Sequence, residues 1–481
     1  MTRLRETGTK IVATIGPASW DPDTLVRLLK AGVDVCRINC SHSDHAGIRK
    51  QVARIRRASS IVGQPAAILL DLQGPKIRVG KIDGELELEK DDVLTVVMDV
   101  EYAANGKRVG TTYPALAADI STGDEVLFAD GAISGVVSEV ITHADPAEVQ
   151  IRIIHGGTLT SNKGINLPGV ALSAPALTEK DCGDLRVGME VGVDYVALSF
   201  VRSASDLLIL HDEMAKYGAR LPCIAKIEKP QAVENIEEIL QHCEGVMVAR
   251  GDLGVEVSIE RVPVYQKAII RAAFKKGALI ITATQMLDSM ERNPRPTRAE
   301  TTDVANAILD GTDAVMLSGE TATGKYPVES VTMMDNIARE VESSPFFRPT
   351  PPSELPPMSG PGGAVWRAAC YSIHEEPRPL VVFTWSGQSA IFASRARSTM
   401  PVFALTSEQR VVDQLSMVWG VTPLLVPPVR STDQLLELGE EVLLQTGHLQ
   451  PGDEVVMLAG RSPLKGVENL LKIFPVGADE S

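Results

Sequence analysis

The sequence predicts an α/β protein, a (β/α)8 TIM barrel with a small β-domain inserted after its third strand and a C-terminal α/β domain. Three observations support this fold class. Eight apolar runs each precede a helical pattern, one interval between two of them exceeds a hundred residues, and a proline-rich stretch separates them from further strands. With 481 residues, the chain is also too long for one compact core.

The eight apolar runs fit the strands of a parallel sheet. Runs of this length without alternation suit strands that are covered on both faces. Eight strand–helix units are the number that closes a barrel, and an open, doubly wound sheet is the alternative. The predicted strands are residues 10–15, 34–39, 67–71, 195–200, 223–228, 245–250, 279–285 and 314–319.

Helices are predicted between these strands. Asp21, followed by Pro22, caps a first helix that ends near Lys30 and Gly32. Apolar residues at helical spacing predict three further helices, at residues 232–241, 263–276 and 298–309.

The remaining segments have a different composition. Residues 79–173 contain short β-branched runs separated by Asp-Gly turns, which predicts a small β-domain above the barrel mouth. Residues 343–363 are dense in Pro, Ser and Gly and predict a linker. The barrel then comprises residues 1–78 and 174–342, and the C-terminal domain residues 364–481.

Charge and composition limit the function classes. A net charge of −15 argues against a nucleic-acid or anionic-membrane partner. We find no apolar leader and no apolar run near the roughly 18 residues of a membrane helix, and expect a cytoplasmic protein. The six cysteines are scattered; Cys36 and Cys40 could form half of a zinc site, but buried thiols are favoured.

Polar residues end nearly every predicted barrel strand. In such barrels, the carboxyl ends of the strands form the active site. These residues are Arg37, Asn39, Asp71, Ser199, Lys226, Glu228, Asp252, Thr284, Ser318 and Glu320.

Lys226, Glu228 and Asp252 predict a metal site. Alternation places Lys226 and Glu228 on the same side of their strand, and Asp252 follows the neighbouring strand. Two carboxylates suit Mg²⁺ or Mn²⁺, which keep positions open for substrate oxygens. A Lys–Glu salt bridge is the alternative, but it leaves Asp252 and the adjacent Gly251 unexplained.

The cations beside this metal site point to an anionic substrate. Lys226 and Arg37 would face one cavity with the metal, as phosphoryl transfer to or from a carboxylate-bearing substrate requires. The chain has no GxxxxGK[ST] loop and no HRD or DFG motif, which excludes the ordinary nucleotide-kinase folds.

Eight segments of the chain resemble the pyruvate kinase family over almost its whole length, and the family's architecture agrees with the predicted domains. The matching segments are 9–19 (TKIVATIGPAS), 37–42 (RINCSH), 166–169 (NLPG), 226–228 (KIE), 249–256 (ARGDLGVE), 283–287 (ATQML), 293–300 (NPRPTRAE) and 318–321 (SGET).

The resemblance implies a reaction and a role for each site residue. The family transfers the phosphoryl group of phosphoenolpyruvate to ADP, giving ATP and, after protonation of the enolate, pyruvate. By resemblance, Glu228 and Asp252 hold Mg²⁺, and Lys226 and Arg37 neutralise the phosphoryl group. The other implied roles are substrate binding (Gly251, Asp252, Thr284), proton transfer (Thr284, Ser318, Glu320) and nucleotide binding (Pro17, Asn39, His42, Arg78, Lys163).

One departure concerns a monovalent cation. Many family members need K⁺ near a glutamate that follows the third strand, whereas this chain has Lys76 there. It is similar to the K⁺-independent branch, and a tethered ammonium can supply the charge of K⁺. We therefore expect activity without K⁺.

The C-terminal domain resembles the family's effector-binding region. The loop Thr384, Ser386, Gly387, Gln388 and Ser389 could hold the phosphate of a metabolite, facing residues 461–466, although a simple helix cap is the alternative. The resemblance also implies a homotetramer. Because the chain stops at Ser481, we expect no extra C-terminal domain of the kind found in some bacterial members.

Two other functions remain open at this point. A metal-dependent aldolase or lyase could use a similar barrel, with Lys226 as a Schiff-base nucleophile in one version, but it would need no inserted domain or nucleotide site. A metabolite sensor without activity would predict loss of the site residues, all of which are present.

Overall fold

The structure is a computed structural model that describes residues 7–357, 360–429, 432–460 and 468–477. Its described helices include none that is both long and apolar enough to cross a membrane.

The first part of the barrel precedes the inserted domain. Asp21 accepts a hydrogen bond from Thr24 N, and Gly32 closes the first helix at a φ of 121°, as the capping pattern predicts. The elements are β1 (Lys10–Thr14), α1 (Pro22–Ala31), β2 (Val35–Asn39), α2 (His45–Val62) and β3 (Ala67–Asp71).

The inserted domain is mainly antiparallel. Its six-stranded sheet has the order β11-β7-β8-β9-β5-β6, and β4 pairs with β10. The elements are β4 (Leu86–Leu88), β5 (Val93–Val97), β6 (Arg108–Gly110), α3 (Leu116–Asp119), β7 (Glu125–Phe128), β8 (Ile133–Ile141), β9 (Glu148–His155), β10 (Gly157–Leu159) and β11 (Ile165–Asn166).

The chain then completes the barrel, which closes in the order β1-β16-β15-β14-β13-β12-β3-β2 with every neighbouring pair parallel. The strands are β12 (Tyr195–Leu198), β13 (Cys223–Ile227), β14 (Gly245–Ala249), β15 (Leu279–Ala283) and β16 (Ala314–Leu317). The helices are α4 (Glu179–Val191), α5 (Ala204–Ala215), α6 (Pro230–Glu234), α7 (Ile236–Ile239), α8 (Arg250–Glu256), α9 (Val262–Lys276), α10 (Arg298–Leu309), α11 (Gly319–Ala322) and α12 (Pro327–Glu342).

The C-terminal domain is a five-stranded sheet in the order β19-β18-β17-β20-β21, in which only the β20–β21 pair is antiparallel. The elements are α13 (Gly360–Glu375), β17 (Leu380–Phe383), α14 (Gln388–Ser394), β18 (Val402–Thr406), α15 (Gln409–Leu415), β19 (Val421–Leu425), α16 (Thr432–Gln445), β20 (Glu454–Gly460) and β21 (Glu468–Pro475).

The predicted fold class is confirmed, with two local differences. The helix expected at 232–241 is two short helices, because Asn235 leaves the helical conformation and donates its side-chain amide to Arg202 O. Helix α13 begins at Gly360, inside the segment predicted as a linker. The domain boundaries drawn from the sequence stay a prediction.

The C-terminal domain closes the amino-terminal end of the barrel. Inward-pointing strand residues such as Tyr195 share one apolar core with Trp366 of α13. Asp313, ahead of β16, accepts hydrogen bonds from the buried Arg395 and Arg397 at 2.9 and 2.8 Å. The opposite, carboxyl-terminal end of the strands is left for the inserted domain and the predicted site.

Cys36 and Cys40 are free and buried, in agreement with the favoured interpretation as buried thiols. Burial raises the pKa of the Cys36 thiol to about 12, which makes thiolate chemistry at this position unfavourable at neutral pH. Among the residues that the structure describes, no group of three or more His, Cys, Asp or Glu side chains is arranged to hold a metal ion.

Candidate active site

An ion-pair network joins strands β2, β3 and β13 at the mouth of the barrel. The Lys226 ammonium lies 2.9 Å from Glu228 Oε1 and 3.3 Å from Asp71 Oδ1. It also donates a hydrogen bond to Ser199 Oγ at 2.7 Å. On the other side, Arg37 Nε lies 2.6 Å from Asp71 Oδ2. Two cations predicted to face one cavity are therefore bridged by one carboxylate.

Lys226 and Asp71, which lie at the centre of this network, are both held in their charged forms. Burial lowers the pKa of Lys226, but Asp71 and Glu228 outweigh it, so the net pKa is raised. Burial raises the pKa of Asp71, but Lys226 and Arg37 outweigh it, so that pKa is lowered. Lys226 is thus held as an ammonium ion, the wrong state for the amine nucleophile of a Schiff-base aldolase.

Glu228 and Asp252, the predicted carboxylate pair, lie close enough for their charges to interact. Burial and the negative charge of Asp252 raise the pKa of Glu228, while Lys226 opposes the shift. Glu228 Oε2 also accepts a hydrogen bond from Phe200 N at 2.8 Å. Lys226 and Glu228 therefore form the salt bridge of the alternative interpretation. This ion pair does not neutralise the additional charge of Asp252.

This donor set fits a hard divalent cation. The charge of Asp252 raises the pKa of Glu228, and a bound cation would relieve this repulsion. Two carboxylates alone leave most of an octahedral shell for water and substrate oxygens, as Mg²⁺ requires.

Thr284 lies in a strained turn after β15. Its φ is 68° and that of Gln285 is 53°, left-handed values that cost on the order of 1–3 kcal/mol for a residue other than glycine. Thr284 Oγ1 accepts a hydrogen bond from Gly251 N at 2.7 Å. A Cβ atom at Gly251 would lie 3.2 Å from that oxygen, so the absence of a side chain permits the close approach.

Ser318 and Glu320 follow the last barrel strand. The Glu320 carboxylate is buried and accepts hydrogen bonds from Ser318 N at 2.7 Å and from Leu287 N at 3.0 Å. Burial raises its pKa, and these backbone donors oppose the shift. Glu320 thus anchors the segment that follows Thr284.

The predicted nucleotide residues lie at or after the ends of barrel strands β1, β2 and β3, except for Lys163, which precedes β11 of the inserted domain. Asn39 Oδ1 accepts a hydrogen bond from Ser41 N and caps the short turn that contains His42. Arg78 Nη1 donates to Asn162 O at 2.9 Å, next to the exposed Lys163.

Pro17 is exposed on the loop after β1, and Lys76 is half-buried on the loop after β3. Lys76 lines a cavity at the junction of the two domains together with Asn166, Phe200 and Lys229. In the part of the chain that the structure describes, neither residue forms a hydrogen bond or an ion pair with the network around Lys226, and their roles stay predictions.

Several supporting residues were not assigned from the sequence. Asp71 and Ser199 stand out only as polar strand ends, and nothing in the pattern shows that both contact Lys226. Lys229 pairs with Glu256 at 2.6 Å, and Asn166 of the inserted domain donates to the same carboxylate at 3.3 Å. The conspicuous ARGDLGVE segment contains Glu256, but its partners follow only from the fold.

The predicted effector loop precedes α14. Thr384 Oγ1 accepts a hydrogen bond from Gly387 N at 3.0 Å, and Gly387 has a φ of 84°. This contact closes the turn ahead of α14, whose N-cap is Gly387 and has no side-chain cap hydrogen bond, so the phosphate-binding role of the loop stays a prediction. Ser386, Gln388 and Ser389 flank it, whereas the facing segment 461–466 lies outside the described residues.

Comparison with known proteins gives the same family for the barrel and for the C-terminal domain. Residues 6–331 match the family model described as pyruvate kinase, barrel domain, and residues 363–474 match pyruvate kinase, alpha/beta domain. The pyruvate kinase of Mycobacterium intracellulare is 42% identical over 472 residues, which cover 98% of this chain and 99% of that protein. The pyruvate kinase of Geobacillus stearothermophilus is 43% identical, with coverages of 97% and 80%.

A solved structure extends the comparison to three dimensions. The crystal structure of a pyruvate kinase from Cryptosporidium parvum superposes with a TM-score of 0.90 at 30% identity, covering 98% of this chain and 96% of the other. The resemblance noted in the sequence is thus confirmed by similarity over both matched domains. The chain belongs to the pyruvate kinase family.

Proposed function

We propose that the network around Lys226 performs the family's reaction, in which phosphoenolpyruvate gives its phosphoryl group to ADP and leaves pyruvate. The observation that carries the proposal is the convergence of Lys226, Arg37, Glu228 and Asp252 on one barrel mouth. Two fixed cations and an acidic pair match the anions of this substrate.

The charged residues divide the work of phosphoryl transfer. Lys226 and Arg37 neutralise the equatorial oxygens of the phosphoryl group in transit, and Asp71 keeps both cations in place. Glu228 and Asp252 would hold Mg²⁺ or Mn²⁺, which would neutralise further charge on substrate oxygens. Because the Lys226 pKa is raised, its charge is constant across the neutral pH range.

Carboxylate binding and proton transfer belong to the neighbouring strands. The backbone N–H groups of Gly251 and Asp252 and the Thr284 hydroxyl bind the substrate carboxylate. The Thr284 hydroxyl then delivers a proton to the enolate carbon. Ser318 and Glu320 replace the proton on this hydroxyl from solvent through water, and Glu320 also fixes the backbone at Leu287 and Ser318.

The inserted domain covers the nucleotide. Pro17, Asn39, His42 and Arg78 bind it from the barrel, and Lys163 binds it from the inserted domain. Closure of that domain excludes water, which would otherwise compete with ADP for the phosphoryl group.

Lys76 supplies the positive charge that K⁺ supplies in other members, so the enzyme works without K⁺. The loop of Thr384, Ser386, Gly387, Gln388 and Ser389 binds a phosphorylated metabolite, such as a sugar phosphate, that regulates the enzyme. We further propose a cytoplasmic homotetramer.

The test is formation of pyruvate from phosphoenolpyruvate and ADP by Lys226→Met, compared with wild type. Methionine keeps the length of the side chain and removes its charge, so turnover should fall by about 10²-fold or more. Lys267→Met is the matched control, because Lys267 forms an exposed ion pair with Asp310 on an outer helix. Equal turnover of Lys226→Met and wild type would refute the role of Lys226.

A further inference from the structure

Arg250, the first residue of α8, contacts the strained turn that carries Thr284. Its Nη2 donates to Thr284 O at 2.8 Å and, more weakly, to Gln285 O at 3.4 Å, and its Nε lies 3.4 Å from Ala283 O. One guanidinium therefore faces three successive carbonyl groups. Two of these carbonyls belong to the residues with positive φ.

The other edge of the same guanidinium is anchored to the outer helices. Nη1 donates to Asp303 Oδ1 of α10 at 2.7 Å and lies 3.4 Å from Gln266 Oε1 of α9. Only 10% of the Arg250 side chain is exposed, so its position is defined on both sides. A planar group with five donors can span these acceptors, whereas an ammonium group cannot.

A hydrogen bond also joins the strained turn to the segment that follows β14. Gly251, next to Arg250, donates its N–H to Thr284 Oγ1 at 2.7 Å. Release of the three carbonyls would let the turn relax toward ordinary φ values and would move that hydroxyl. A displacement of about 1 Å in a reacting group can cost about 10²-fold in rate.

We propose that Arg250 is a positioning residue for proton transfer: it holds the Ala283–Gln285 turn in its left-handed conformation and so aims the Thr284 hydroxyl at the enolate carbon. This proposal rests on the role proposed above for Thr284. Arg250 itself touches no reacting atom and acts through the backbone.

The experiment separates proton transfer from phosphoryl transfer. In D₂O with ATP and divalent metal, a methyl C–H bond of pyruvate breaks, the proton leaves through Thr284 to solvent, and a deuteron takes its place, which NMR follows directly. Arg250→Lys should slow this exchange by about 10²-fold. It should leave the KM for ADP within about twofold, because no proposed nucleotide residue belongs to this turn or to α8.

A double-mutant cycle then tests whether Arg250 acts through Thr284. Thr284→Ala should slow exchange, and the Arg250→Lys, Thr284→Ala double variant should exchange no more slowly than Thr284→Ala alone. Independent, multiplying effects would overturn the positioning role. Unchanged exchange in Thr284→Ala would instead refute the proposed role of Thr284, so the two failures are distinguishable.

Two further variants guard against a general loss of structure. Arg56→Lys is the matched control, because the Arg56 guanidinium also spans two carbonyl groups, Ala66 O and Gly192 O, and two carboxylates at the opposite end of the barrel. It should leave the exchange rate unchanged. Asp303→Asn keeps Arg250 but weakens the ion pair that anchors it. This variant should slow exchange while its circular dichroism spectrum stays that of the wild type. If Asp303→Asn and Arg250→Lys both exchanged at the wild-type rate, the proposal would be contradicted.

Discussion

Asp71 Oδ2 lies 2.6 Å from Nε of Arg37, and both side chains are buried at the ends of neighbouring strands. The second Asp71 oxygen faces Lys226 at 3.3 Å, so this carboxylate is the common counter-ion of the two cations proposed to handle the phosphoryl group. Its importance follows from burial: a buried charge that loses its partner has no water to replace it.

Asp71→Asn keeps the shape of the side chain and removes its charge. Arg37 and Lys226 would then repel each other without compensation, and we expect the free energy of unfolding to fall by about 3 kcal/mol. Turnover should fall by about 10²-fold because both cations lose their fixed positions. Urea unfolding and a steady-state assay measure the two effects. Asp92→Asn, in the exposed ion pair with Lys107, is the control, and equal losses in both variants would contradict the assignment.

The position of Asp71 illustrates what the sequence can predict. Its place at the end of a barrel strand follows from apolar periodicity, as does that of Lys226, because a closed parallel barrel brings all strand ends to one rim. The sharing of one carboxylate by two cations depends on side-chain directions across three strands, which periodicity does not encode. Ser199, a third partner of Lys226, was indistinguishable from an ordinary backbone-bonding serine for the same reason.

The metal pair gives a second prediction. Glu228→Gln should raise the concentration of Mn²⁺ at half-saturation by at least about 10-fold, because one of two charged oxygen donors is lost. Isothermal titration with Mn²⁺ in the absence of substrates measures this apart from activity. Glu244→Gln serves as the control, since Glu244 accepts a hydrogen bond from Cys223 N at the far end of β13. Wild-type affinity in Glu228→Gln would exclude Glu228 as a ligand.

Lys76 provides the third prediction. In buffer free of Na⁺ and K⁺, the wild-type enzyme should be active, and K⁺ should add little. Lys76→Met removes the tethered charge and should lower turnover in that buffer, with partial recovery as K⁺ is added. Lys81→Met, which alters an exposed lysine of the inserted domain, should behave as wild type. A large, saturable stimulation of the wild type by K⁺ would refute the proposed substitution.

Thr284 and Arg250 mark another limit of sequence-based prediction. The ATQML and ARGDLGVE segments identify where chemistry belongs, but a positive φ at a β-branched residue contradicts its intrinsic preference. Such a conformation persists only when surrounding contacts impose it, here the carbonyl contacts of Arg250. It becomes visible only when the tertiary structure is known.

The last prediction concerns pH and the contact between the barrel and the C-terminal domain. Asp194 is buried below β12, where it accepts hydrogen bonds from Ile68 N at 2.6 Å and Arg56 Nη2 at 2.8 Å. Burial raises its pKa from 3.8 to about 6, although Arg56 opposes the shift. Asp413 of α15, whose pKa burial also raises, faces the same guanidinium at 3.4 Å.

A raised pKa gives Asp194 an unusual sign in the pH dependence of stability. Below about pH 4, Asp194 is protonated in both the folded and the unfolded state. Above about pH 6 it is ionised in both states, and the folded state is then destabilised because it buries the charge. Its contribution to stability is therefore fully present below the unfolded pKa and is lost as the pH rises through about 6. The usual carboxylate with a lowered pKa behaves in the opposite way.

Urea unfolding of wild type and Asp194→Asn at pH 7 and pH 5 tests this. The stability of the wild type relative to the variant should rise by roughly 1 kcal/mol between pH 7 and pH 5, since only the wild type takes up the proton on folding. The same comparison with Asp71→Asn should show no such rise, because the Asp71 pKa is lowered and that carboxylate stays ionised over this range. A constant difference for Asp194→Asn would show that Asp194 folds without a shifted pKa, and its ion pair with Arg56 would then fully offset the cost of burial.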